Sequence, residues 1–204
     1  MLENKSTMAE FIIQKRKKYK NGETEDYVHP RNLITKGYVI INYKKRDMEE
    51  KKLMDNKISM IIPSDWEKAD TDWEEVYFYK SETEKESLVL KYCEDSNKQP
   101  VMDILQEILG EKDKTNIQKE IVEMEKEEGK VSYLFWKCSK ELTACVFIWQ
   151  MERGFLQGCF QIHPYRRKVW ECIIPQILEQ MKWLEKQKVR EQEENEQKNI
   201  RKIL

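Results

Sequence analysis

The chain has 204 residues, of which 39% are hydrophobic, 10% aromatic and 37% charged. That is enough apolar material for one domain of ordinary size with extensions, and enough charge to keep it soluble. Lys and Arg (37) nearly balance Asp and Glu (38), for a net charge of −1. No global field draws the protein to nucleic acid or to an anionic membrane, so any such binding has to be local.

The first ten residues hold no apolar core followed by a small-residue cleavage site, and no window approaches the roughly 18–20 apolar residues of a spanning helix. A cytoplasmic protein without a membrane span is expected. Residues 1–55 differ from the rest and are expected to form an N-terminal extension. They carry the basic cluster Lys15-Arg-Lys-Lys-Tyr-Lys20, a polar stretch over 21–31 and a second basic cluster, Lys44-Lys-Arg46. Two β-rich runs, at 11–13 and 38–43, predict one or two strands there, and the charged stretch 48–56 predicts an exposed loop or short helix.

The domain proper is expected over 56–185. Strands are predicted at 58–62, stopped by Pro63, and at 76–79 and 88–92, with a polar turn over 82–86. Pro100 then opens a helix whose Val101, Ile104, Leu105, Ile108 and Leu109 form one stripe of a 3.6-residue period, and Gly110 stops it. Strands resume at 117–124, turn near Gly129, and continue at 131–138, 142–151 and 155–162. A last helix follows Pro164, with Trp170, Ile173, Ile174, Ile177, Leu178, Met181 and Leu184 on one face and an interior Pro175 whose kink faces water. Residues 186–204 are charged and lack an apolar stripe. They read as a solvated helical tail, or as a coiled-coil segment that needs a partner.

Two-residue turns at Lys140-Glu141 and Arg153-Gly154 would place Leu134, Trp136, Cys145, Phe147, Trp149, Leu156, Phe160 and Ile162 on one sheet face. The other face would take Tyr133, Phe135, Ala144, Val146, Ile148, Phe155 and Cys159. Both faces are apolar at their centres, so both need cover, which the two helices can supply. The expected fold class is α+β: a three-layer α/β/α sandwich with a mainly antiparallel sheet.

The segment Ile58-Ser-Met-Ile-Ile-Pro-Ser-Asp-Trp66, the run Gly154-Phe-Leu-Gln-Gly-Cys-Phe160 and the order of elements over 56–184 together resemble the PsbP-like family. That family includes a Ran-binding nuclear import factor, photosystem accessory proteins and bacterial chaperones for secreted effectors. The resemblance implies an α/β/α sandwich that binds other proteins, and it implies no catalytic motif. The basic N-terminal extension is not part of the common pattern.

Catalytic, cofactor and metal sites are all expected to be absent. Only His29 and His163 could act as a base. Cys145 lies on the opposite sheet face from His163, and Cys159 is four strand residues away, about 13 Å. The five cysteines form no Cys-x-x-Cys pair and read as reduced, buried thiols. Glu74-Glu75 and Glu127-Glu128 read as solvated charge, and no glycine-rich phosphate loop is present. The basic clusters read as solvated edges rather than a nucleic-acid patch.

Trp66 and Trp73 flank a highly charged turn. Each ring either packs on the rim of the core or anchors a protein partner. With Tyr133, Phe135 and Phe155 of the second face, they are the candidate partner-binding residues. The expected function is a non-enzymatic adaptor or chaperone whose protein client is a secreted effector or toxin. The competing expectation is an immunity or regulatory protein that occludes a toxin or enzyme through an acidic surface, and an uncharacterised enzyme comes third.

Overall fold

The computed structural model describes residues 37–41, 44–81, 85–94, 100–110, 118 and 120–184. The predicted strand at 11–13, the basic cluster at 15–20 and the charged tail at 186–204 lie outside these residues. In chain order the elements are β1 (Tyr38–Ile41), β2 (Lys44–Leu53), β3 (Ile58–Pro63), β4 (Trp66–Ala69), β5 (Val76–Ser81) and β6 (Ser87–Cys93). Helix α1 (Val101–Leu109) precedes β7 (Val122–Lys126), β8 (Gly129–Lys137), β9 (Thr143–Met151) and β10 (Gly154–Ile162). A 3-10 turn (Pro164–Arg166) then leads into α2 (Arg167–Gln180) and β11 (Lys182–Trp183). The protein is thus mixed α+β and mostly antiparallel sheet.

Seven strands pair in the order β4-β5-β6-β10-β9-β8-β7, and a smaller sheet runs β1-β2-β3-β11. Strand β9 sits deep in the larger sheet and is buried from Thr143 through Trp149, as a strand covered on both faces must be. On one side Cys145, Phe147, Trp149, Leu156 and Phe160 share a core with Ile58, Met60 and Ile62 of the small sheet and with Trp170, Ile173, Ile174 and Ile177 of α2. On the other side Leu134, Ala144, Val146, Ile148 and Phe155 pack with Ile104 and Leu105 of α1. The predicted stripe of α1 thus finds its sheet, and Gly110 ends the helix in the left-handed region at φ 62°.

Several expectations are corrected. Most of the stretch 48–56 is neither loop nor helix: Met48–Leu53 continue β2 and pair with β3, after Lys44–Asp47 have paired with β1, and a turn begins only at Met54. Val39, Ile41, Met48, Leu53 and Met54 are buried in the main core, so the part of the expected extension from residue 37 onward packs with the domain. The strand expected at 117–124 is Val122–Lys126.

The turn after β8 also differs. Lys137 pairs with Thr143 across a five-residue connection, closed by Cys138 N–H donating to Leu142 O at 3.1 Å. This shifts the β8 register by one residue, and because side chains alternate it exchanges the strand's two faces. Tyr133 and Phe135 lie on the main-core side, while Leu134 and Trp136 lie on the α1 side. In β10 the pairing Gly154 with Met151 is shifted by two in the sum, which preserves the faces.

Helix α2 stops at Gln180 rather than running to Leu184, and Met181 turns extended at ψ 136°. Met181 and Trp183 stay buried, but Trp183 does so from a short strand opposite Ile58, packed 5.0 Å from Tyr92 and edge-on to Trp149. The helix end is served by Lys126, whose Nζ donates to the carbonyls of Leu178 (2.9 Å) and Glu179 (2.7 Å).

Candidate functional site

Of the five aromatic candidates, one stands in solvent. Trp66 is fully buried, its ring 6.0 Å from Trp170 and 6.2 Å from Phe160, so it has no face to offer a partner. Tyr133 is buried on the main-core side, with Phe135 half-buried beside it and edge-on at 6.5 Å. Phe155 is buried beneath α1. These side chains fill the cores that the two helices and the small sheet close, so the patch expected from Tyr133, Phe135 and Phe155 does not exist as one surface.

Trp73 is 72% exposed. It belongs to the β4–β5 connection, where Asp70, Thr71, Asp72, Trp73, Glu74 and Glu75 are all exposed. Among the described residues β4 is an edge strand paired with β5 alone, so the connection lies at the rim of the larger sheet. Its backbone is pinned by Trp73 N–H donating to Thr71 Oγ at 3.2 Å, and Glu75 reverses the chain at φ 60°. The indole is thus held out of the core on a segment that also carries four exposed carboxylates, Asp70, Asp72, Glu74 and Glu75.

Sequence reading missed a buried charge network at the opposite end of the β4–β5 hairpin, beside Asp65 and Ser81. Glu86, expected in a polar turn, is fully buried at its side chain. Its Oε1 accepts from Trp170 Nε1 at 2.8 Å and from Arg166 Nη1 at 3.1 Å, and its Oε2 accepts from Arg46 Nη1. Arg46 also grips Asp65 in bidentate fashion (3.0 and 2.9 Å), and Ser81 Oγ donates to Asp65 at 2.6 Å. Within the cluster Lys44-Lys-Arg46, the two side chains the structure describes are both paired with carboxylates. Strand alternation sends Lys45 outward to Asp47 (2.8 Å) and turns Arg46 inward. Two cations and two carboxylates tie β2, the turn before β4, the approach to β6 and the start of α2 together.

Burial opposes ionisation of Asp65, yet its bonds from Arg46 and Ser81 outweigh burial and hold its carboxyl below the ordinary aspartate value. A carboxyl depressed on folding stabilises the protein above about pH 4, and that stabilisation is lost as pH falls through the depressed value. Asp65→Asn is thus expected to lower stability near neutrality and to flatten its decline in acid. Urea unfolding of both proteins across the acid range checks this, and parallel curves would refute it.

The thiols are spread over different surroundings. Cys145 is buried, Cys93 and Cys159 are intermediate, and Cys138 and Cys172 are exposed, which corrects the expectation of five buried thiols. Burial pushes Cys145 well above its usual range and Cys159 up to about 12, so neither is a ready nucleophile near neutral pH. Burial, with Arg166 and Lys85 nearby, lowers the pKa of His163, whose ring stacks 3.6 Å from that of Tyr165. Among the described residues, no three His, Cys, Asp or Glu side chains are grouped to hold a metal ion.

A cleft of about 480 Å³ opens at the far edge of the larger sheet, between the β7–β8 turn and the end of α2. Glu50, Glu125, Glu127, Glu128 and Glu179 make it acidic, against Lys126 and Lys182. Ile61 and Met124 supply its apolar part.

No protein-family profile matches the chain, and no curated protein matches it. Among solved structures it is similar to the solution structure of cyanobacterial PsbP (CyanoP) from Synechocystis sp. PCC 6803. The TM-score is 0.49 and the identity 10%, over 67% of this chain and 92% of that one. No helix among the described residues is long and apolar enough to cross a membrane.

Proposed function

We propose that this chain is a non-enzymatic, cytoplasmic protein-binding module, a three-layer α/β/α sandwich of the PsbP-like kind. It serves as an adaptor, or as a chaperone whose client is a protein such as a secreted effector or toxin. The observation that carries the reading is Trp73, a large aromatic side chain 72% exposed on the β4–β5 connection. Tryptophan is enriched where interfaces concentrate their energy. All five cysteines are free thiols, as suits a reducing compartment.

The test compares the tagged protein with its Trp73→Ala variant in capture from native lysate. A stoichiometric partner held by the first and lost by the second, with the thermal transition unchanged, is expected. Equal capture by both would remove Trp73 from the interface.

A second reading is an immunity or regulatory protein that occludes a toxin or enzyme. The carboxylates around Trp73 and in the distant cleft favour it, since acidic surfaces suit basic targets. Loss of the partner's own activity on binding distinguishes it from the chaperone, whose client is kept soluble.

A further inference from the structure

We infer that the Trp73 connection receives an arginine- or lysine-bearing protein segment, with the cation over the indole and paired to the neighbouring carboxylates. The inference rests on the reading of Trp73 as an anchor and adds the chemistry of what it anchors.

The molecule builds aromatic–cation–carboxylate groupings elsewhere in its own fold. The Arg46 guanidinium lies 5.9 Å from the Trp66 ring while gripping Asp65. Lys68 Nζ lies 5.0 Å from the Tyr77 ring and 3.3 Å from Asp55, which also accepts from the Tyr77 hydroxyl at 2.6 Å. At residues 70–75 the aromatic ring and the carboxylates are present, and the sequence holds no lysine or arginine between Lys68 and Lys80. Lys68 is committed to Asp55 and Tyr77. Among the described residues no cation or ring lies over Trp73, which is 72% exposed, and the missing member is the one a partner can supply.

Charge decides between occupants. The face of an indole attracts cations through its quadrupole, and an exposed indole offers both faces. A neutral or acidic partner seated on Trp73 would desolvate Asp70, Asp72, Glu74 and Glu75 without pairing them, which disfavours it strongly. The same repulsion turns away nucleic acid and anionic lipid. A guanidinium or ammonium satisfies ring and carboxylates together.

The probe is a phage-displayed library of random short peptides, selected on the full chain with soluble Trp73→Ala protein as competitor. Selected peptides are then measured against the protein, Trp73→Ala, and a variant combining Asp70→Asn, Asp72→Asn, Glu74→Gln and Glu75→Gln. Enriched peptides rich in arginine or lysine are expected, weakened about tenfold or more by either variant. Enrichment of neutral or acidic peptides that still need Trp73, or equal binding of cationic peptides to the neutralised variant, overturns the inference while leaving the anchor in place. Enrichment that does not depend on Trp73 removes the anchor itself.

Discussion

Glu86→Ala is expected to remove about 3–5 kcal/mol of folding stability, as deletion of one partner from a buried ion network does. For a domain whose total is about 5–15 kcal/mol, that is about a fifth or more. The alanine leaves Arg46 and Arg166 facing each other across the space of one carboxylate, and it orphans the Trp170 indole N–H in a site closed to water. Glu86→Gln keeps an acceptor for the indole but no charge for the guanidiniums, and is expected to fall between alanine and the native chain. Chemical denaturation of the two variants measures this. A loss below about 1 kcal/mol for alanine, the range of exposed pairs, would mean that the network is solvated and interchangeable. Coupling between Glu86→Gln and Arg166→Gln in a double-mutant cycle separates the pair from its surroundings.

That network was illegible in the sequence for a physical reason. Glu86 follows Glu82, Glu84 and Lys85, and no local pattern distinguishes the one carboxylate that turns inward from those that stay in water. Its partners come from positions 46, 166 and 170, so the signal exists only once the sheets have closed. Elements whose pattern is local were legible. Helix α1 announced itself by stripe and glycine stop, and β9 and β10 by apolar runs too short and too β-branched or aromatic for a buried helix. Strand β2 was not, because its charged residues satisfy the rule for a loop while its pairing partners lie on both sides in the fold. The end of α2 was misplaced because Met181 and Leu184 continue the helical stripe by spacing, whereas the fold turns extended at Met181 and buries Met181 and Trp183 instead. The candidate site was half legible: the charged connection flagged Trp66 and Trp73 alike, and only packing separates the ring beneath α2 from the ring in solvent.

Gly158→Ala tests the centre of the larger sheet in the same quantitative way, and it is expected to cost about 1–3 kcal/mol through overpacking. Gly158 of β10 stands directly opposite Phe147 of β9. A methyl group there would lie 2.0 Å from Phe147 Cζ and 2.1 Å from its Cε1, well inside any real contact. The phenyl ring occupies the space over the glycine and is itself fully buried, 5.8 Å from Phe160, so it cannot swing away without disturbing the core that holds Trp66 and Trp170. The clash is between two named side chains, and it is therefore expected to be reciprocal. Phe147→Leu alone opens a gap and destabilises, whereas Phe147→Leu with Gly158→Ala lets the added methyl partly fill that gap. The double variant should be more stable than the sum of the two losses, by on the order of 1 kcal/mol, the scale of couplings between residues in contact. Simple additivity in urea melts would show that the cost of the alanine comes from the strand backbone and not from the ring opposite it.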